Sequence, residues 1–293
     1  MAAKEGLTMT TDITIKAREV DFVTRFGKNW DTLKEIFGIM NPIKKAPGTK
    51  LTAYTASVTL ENSVAEGEEI PYSQATVTPV AFDDLTIEKY AKAVSIEAVA
   101  QYGATAAVQK TDEAFLNELQ NKVVNAFFTF LQTGQLTDTE STFQMAVAMA
   151  IGKVKDKFDS IDRDASKVVV FVNTLDAYRY LGAASISVQT ANGLTYIKNF
   201  LGADVMILSS RIPTNKVIAT PADNIDLYYV DPGDADFKTL GLDYTVQGET
   251  NLIGFHANGN YGTAVGESFA LMGMTLWAEF LDGIAVVTVS ANP

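Results

Sequence analysis

Between Glu88 and Gly103 the chain reads EKYAKAVSIEAVAQYG, a strand that becomes a helix with no loop between them. Tyr90 and Val94 fall on one side of a two-residue alternation, the pattern of a half-buried strand. Ser95 can then cap a helix, Glu97 places a negative charge in its first turn, where the helix dipole favours one, and Gly103 can stop it only two turns later. Thr111 or Asp112 is expected to cap a second helix, in which Phe115, Leu119, Val123, Phe127 and Leu131 recur every four residues before Gly134. At about 20 residues this helix spans roughly 30 Å. Leu116, Val124, Phe128 and Phe130 widen its apolar stripe, so burial on more than one side is expected. A strand, a stub of helix and a long helix in immediate succession point to a mixed α+β architecture.

What precedes this stretch is an arm-like segment followed by a long two-stranded excursion. LTMTTDITIKA alternates in places like a strand, and Val23, Phe26, Trp30, Leu33 and Phe37 then recur at spacings of three and four, one face of a helix that should stop near Gly38, before Asn41-Pro42. KLTAYTASVTL and PYSQATVTPVAF are two Thr- and Val-rich strands separated by the polar ENSVAEGEEI. Such a hairpin lacks the material for a core of its own and should rest on something else. Beyond Ser141 helices and short apolar strands alternate. Val147, Ile151, Val154 and Phe158 share a helix face, KVVVFVN is a continuous strand, TLDAYRYLG is a capped helix, and DVMILSS, KVIAT and IDLYYVD are strands of one α/β lobe. The last forty residues look like strands with glycine turns, for which the strand at Tyr90 is the natural partner.

Composition narrows the function. The 293 residues are 47% hydrophobic and carry a net charge of −12, no cysteine and one histidine. Disulfides and soft-metal sites are thereby excluded, and a basic stripe for nucleic acid is absent. There is no leader-like segment and no apolar run near the ~20 residues of a membrane span, so a soluble intracellular product is expected. Residues 1–50 hold nine Lys and Arg against six Asp and Glu, leaving fourteen against twenty-nine for the remainder. A basic arm thus precedes an acidic body.

No catalytic constellation emerges. Gly259, Gly262 and Gly266 lack both the Lys-Ser/Thr of a P-loop and the dinucleotide spacing, and serve better as turn glycines. His256 has only asparagines as polar neighbours in sequence, and GESFA at Gly266 to Ala270 lacks the second glycine of a serine elbow. Asp159, Asp162 and Asp164, and Asp231, Asp234 and Asp236, do not follow a calcium-loop spacing and are expected to be solvated turns.

The order of elements resembles that of the major capsid proteins of tailed bacteriophages, which have the Hong Kong 97 fold. EKYAKAVSIEAV looks like that family's strand and short helix, QKTDEAFLNELQNKVVNAFFTFLQTG like its spine helix, and VVVFVNTLDAYRYL, LGADVMILSSRIP and FLDGIAVVTVS like later segments. The resemblance implies an N-terminal arm over 1–42, an E-loop hairpin over 43–82, a P-domain with its spine helix over 83–140, an α/β A-domain over 141–250, and returning strands over 251–293 that complete the P-domain. It implies a structural protein, not an enzyme, with no cofactor. Copies of it would form hexamers and pentamers of an icosahedral shell, assembled in the host cytoplasm around double-stranded DNA that is enclosed without sequence-specific binding. A separate scaffolding protein and a portal would be partners, and no membrane would be. An encapsulin-type nanocompartment, a tail-tube protein and an acidic α/β hydrolase are the alternatives.

Candidate subunit contacts follow from charge and apolar patterning. Phe26 and Trp30 lie on the arm's apolar face, which also suits ordinary packing. Glu61, Glu66, Glu68 and Glu69 crowd the hairpin tip without a cation, while Lys44 and Lys45 lie at the hairpin's approach. The tip has no lysine, so the isopeptide mesh of some relatives is not expected.

Overall fold

The computed structural model describes residues 18, 24–25, 40–46, 49, 52–61, 72–81, 85–165, 167–182, 188–191, 194–222, 224–246 and 251–290. Two sheets share one long helix between them. The first sheet is built on β13 (Val265–Ala278), which pairs with β12 (Ile253–Asn260), β4 (Ile87–Ser95) and β11 (Ile225–Val230), all antiparallel. Gly273 faces Ile87 on one edge and Val230 on the other. A strand has only two edges, so β11 and β12 run end to end along one side of β13 and β4 runs along the other. Outside β11, and parallel to it, lies β1 (Met40–Lys45).

The transition at Ser95 is as the sequence implies. Ser95 Oγ accepts the Ala98 N–H at 3.2 Å and opens α1 (Ile96–Ala104), and Gly103, at φ 79°, breaks it. Thr111 and Asp112, however, cap nothing. A π-helical turn over Thr105–Gln109 runs directly into α2 (Lys110–Leu131), so the first turn that a cap would serve is already preceded by helix. Thr111 Oγ1 instead donates back to the carbonyls of Ala107 and Val108, at 2.8 and 3.0 Å. Asp112 turns into the interior.

The second sheet has the order β5 (Leu136–Glu140), β14 (Ala285–Val289), β10 (Lys216–Pro221), β6 (Val168–Val172), β9 (Ala203–Leu208), β8 (Leu194–Phe200), β7 (Gln189–Ala191). Its central strand β6 is buried throughout because both faces are covered. Val168, Val170 and Val172 pack with α3 (Phe143–Asp159) and α4 (Thr174–Leu181), through residues such as Val147, Val154 and Ala177. Val169 and Phe171 face the other way, toward α2 and the first sheet. Phe127, Phe128 and Phe171 meet edge to face there, with centroids 5.6–5.9 Å apart. One continuous core therefore joins α2 to both sheets, which is why its stripe is wide.

Three strands differ from expectation. IDLYYVD, read as part of the α/β lobe, forms β11 in the first sheet, where Ile225, Leu227 and Tyr229 enter the α2 core. The last strand, read as closing against β4, is β14 and pairs with β10 and β5 in the second sheet. The approach to the hairpin is itself a strand, β1, and Pro42 is tolerated because β1 is at a sheet edge.

Candidate subunit-contact surfaces

β2 (Thr52–Thr59) and β3 (Gln74–Ala81) form the hairpin and pair only with each other among the described residues. The described side chains, Ser57 to Leu60 and Tyr72 to Thr78, are all exposed. Leu60 is 79% and Tyr72 93% exposed, far from the near-zero exposure of Phe127 or Phe171. Glu61 is exposed at the end of β2, where its backbone N–H donates to Ser73 Oγ at 3.3 Å. The register locates the base. Lys45 pairs with Val230, Val230 with Gly273 and Gly273 with Ile87, so the chain leaves and rejoins the first sheet on one row of residues. Three strand spacings, about 14 Å, separate the two points.

Lys44 and Lys45 at that base are not bare cations. Lys44 Nζ lies 2.7 Å from Asp231 Oδ2, and the same carboxylate accepts from Asn251 Nδ2 at 3.0 Å and the Gly233 N–H at 2.8 Å. Burial alone pushes the Asp231 carboxyl up, but the donors Asn251, Lys44 and Gly233 outweigh it and hold it below the ordinary carboxylate value. The hydrogen bond to Asp231 in turn raises Lys44. Lys45 Nζ sits 4.8 Å from the centre of the Tyr228 ring. No local pattern signals these contacts, because Asp231 lies 187 positions from Lys44. Phe26, Trp30, Glu66, Glu68 and Glu69 lie outside the described residues.

A pH test follows from that pair. A carboxyl held low contributes stability above its unfolded value near 3.8 and loses it as pH falls through its lower folded value. A raised lysine contributes below 10.5 and loses its contribution as pH rises through the folded value above that. The stability difference between the parent and Asp231→Asn is expected to be flat from about pH 5 to 9 and to shrink beyond both ends. Urea midpoints across pH check this; a difference unchanged down to about pH 2 would leave the Asp231 charge without a role.

Arg18 is a contact that sequence reasoning missed. Its guanidinium pairs with Asp112 through both Nε and Nη2, the latter 2.8 Å from Oδ1, and Nη2 also donates to Ser268 Oγ. Lys92 Nζ, from β4, joins the same carboxylate and donates to Thr111 Oγ1 at 2.7 Å. Burial pushes Asp112 up, yet the hydrogen bonds from Arg18 and Lys92 prevail and hold it low. One arm residue is thereby fixed to β4, β13 and α2 together. Nearby, a hollow of about 370 Å³ opens beside α1, lined by Val94, Val99 and Val108 with Ile96 and Tyr261 exposed at its rim.

Catalytic groups do not converge in these places. His256 is part-buried on β12, edge-on to the Tyr244 ring at 6.5 Å. Asp159 ends α3 and Asp162 lies in the turn after it, where the Asp162 N–H donates to the Asp159 carbonyl. Among the described residues no group of three His, Asp or Glu side chains could hold a metal ion, and no helix is long and apolar enough to cross a membrane. What the described surfaces offer is an exposed hairpin whose base is flanked by Lys44, already held by Asp231.

No family model matches the chain. No curated protein matches it either. Solved structures do. The chain is similar to a capsid protein in the asymmetric unit of cyanophage A-1(L), at TM-score 0.60 and 11% identity, covering 89% of this chain and 93% of that one. It is similar to a chain of the mature capsid of bacteriophage PhiM1, at TM-score 0.52 and 8% identity, covering 87% of each. It is also similar to a chain of the SrpI encapsulin complex from Synechococcus elongatus, at TM-score 0.55 and 10% identity, covering 98% of this chain and 91% of that one. The chain has the Hong Kong 97-like fold of tailed-phage capsid proteins.

Proposed function

We propose that this chain is a structural shell protein, the major capsid protein of a tailed bacteriophage, whose copies build an icosahedral shell around double-stranded DNA. The observation that carries the reading is the hairpin. On a chain of this fold, a long two-stranded excursion that pairs with no other described strand and whose described side chains are exposed has its use against a neighbour. The arm over 1–42 and the hairpin over 43–82 are the contact elements, resting on a P-domain and an A-domain that share the α2 core. The glutamates Glu61, Glu66, Glu68 and Glu69 at the tip oppose cations of a neighbouring subunit, each exposed pair contributing about 0–1 kcal/mol. Many copies sum such small contacts. The protein acts mechanically, not as an enzyme, with scaffolding protein and portal as partners during assembly in the host cytoplasm.

Electron microscopy of the purified chain, with its scaffolding partner where that is required, is expected to show closed shells. Tubes would transfer the reading to a tail protein, and dispersed subunits at high concentration would overturn it. The similarity to an encapsulin supports a second reading, in which the same shell holds protein cargo. Particles recovered from producing cells are expected to contain nuclease-protected DNA; protein cargo without DNA would decide for the nanocompartment.

A further inference from the structure

The inner columns of β12 and β13 shrink toward one end. Strand alternation puts Phe255, Ala257 and Gly259 of β12 on the side of the α2 core, opposite Ala270, Ser268 and Gly266 of β13. Phe255, Ala257, Ser268 and Ala270 are buried there. The last pair, Gly259 with Gly266, brings no side chain. Neither glycine is required by the backbone. Neither has a positive φ, a Cβ at Gly259 would meet nothing within 4 Å, and one at Gly266 would come no nearer than 3.9 Å to the Val94 carbonyl oxygen. Glycine weakens a strand, so two facing glycines with no steric need keep a space open at the expense of strand stability. That space belongs to the hollow of about 370 Å³ beside α1, whose walls include Val94, Val99, Val108 and Val265. Its size is within the roughly 300–1,000 Å³ of small-molecule sites.

Arg18 lines the same hollow, and the charge around it is unequal. Arg18 and Lys92 both pair with Asp112, so among the described residues two cations share one carboxylate. All three side chains are largely covered, and water cannot fully offset the excess positive charge. Ser95 and Asn260, also at the wall, are already engaged. Ser95 Oγ accepts the Ala98 N–H, Asn260 Oδ1 accepts the Gly262 N–H at 3.0 Å, and Asn260 Nδ2 donates to Glu267 at 3.0 Å. A peptide entering between the valines would bury N–H and C=O groups without partners. A hydrocarbon chain would not, and a carboxylate at its end would answer Arg18.

We propose that the hollow is a binding site for a single-chain amphipathic carboxylate. The alkyl chain lies over the Gly259–Gly266 pair and between the valines, and the carboxylate meets the Arg18 guanidinium. Every residue of the site comes from one subunit, so the site does not depend on the shell reading.

Isothermal titration of the full chain with hexanoate, octanoate and decanoate, below their micelle concentrations, tests it. One site per chain is expected, with affinity rising about fourfold per methylene until the hollow is full. Octanoate is expected to bind about tenfold or more tightly than octanol, because only the acid forms a charge-assisted contact with Arg18. Gly259→Val puts a side chain into the open space and is expected to abolish octanoate binding, with a thermal midpoint equal to or above the parent's. Arg18→Gln is expected to lower octanoate to the affinity of octanol. Circular dichroism monitors its fold, and if it does not fold, the acid-to-alcohol ratio of the parent decides the role of the charge. Equal affinities of acid and alcohol in the parent would overturn the site, as would a Gly259→Val variant that binds as the parent does. A parent that binds none of the acids overturns it too; if Gly259→Val then also prevents shell formation, the occupant is a segment of a second copy instead. Electron microscopy of the same preparations reads the shell separately, so failure of the ligand site and failure of the shell reading appear in different measurements.

Discussion

Asp112→Ala is expected to destabilise the free subunit by about 3–5 kcal/mol, read as a large fall in the urea midpoint. The Asp112 side chain is 4% exposed and serves two cations that are themselves largely covered, Arg18 at 24% and Lys92 at 16%. Removing the carboxylate leaves both without their anion in a place where water cannot replace it. Lys92 supplies the diagnostic. Burial already lowers it, against the pull of Asp112, so without that carboxylate its neutral form gains further. A lysine held below its unfolded value of 10.5 makes the fold more stable as pH rises from the folded value toward 10.5. The deficit of Asp112→Ala should therefore narrow between neutral pH and about pH 10. Asp112→Ala combined with Lys92→Met should recover part of the loss at neutral pH, because one stranded charge is gone. A double variant no more stable than the single one, with a deficit independent of pH, would mean that Asp112 acts through packing alone.

The same residue shows where the sequence is readable and where it is not. Its local pattern, a carboxylate at the apparent start of a four-residue apolar repeat, is that of a helix cap. The partners that turn it inward sit on other elements: Arg18 lies 94 positions earlier and Lys92 20 positions earlier. By contrast, the Ser95 cap, the break at Gly103 and the pairing of β4 with the late strand need only neighbours or an alternation, and all are present. The hairpin was legible for a related reason, since a shortage of large apolar residues is a local property. The placement of β11 and β14 was not. Alternation tells which side chains are buried, but Ile225, Leu227 and Tyr229 would suit either sheet. Their position is decided by β1 and β13, which meet them from remote parts of the chain. Among the contact candidates, the sequence showed charge and missed engagement: Lys44 is already held by Asp231.

Replacing residues 46–86 by a Gly/Ser linker of about ten residues is expected to leave the body folded and to abolish shell formation. The geometry permits the change. Lys45 and Ile87 occupy one row of the first sheet, and ten extended residues reach beyond the roughly 14 Å between them. Energetically the body should lose little, for none of the buried core residues among those described lies in this segment. Shortening a closed loop from roughly forty to ten residues should even reduce the entropy of closure by about 1 kcal/mol. The pair Lys44–Asp231 and the ring contact of Lys45 lie just before the excision and stay in place. A thermal midpoint equal to or above that of the free parent subunit is therefore expected, with scattering and electron microscopy showing dispersed subunits where the parent forms shells. An unfolded product would assign the hairpin to the core. Closed shells built from the shortened chain would remove the hairpin from subunit contact and move assembly onto the arm and the two sheets.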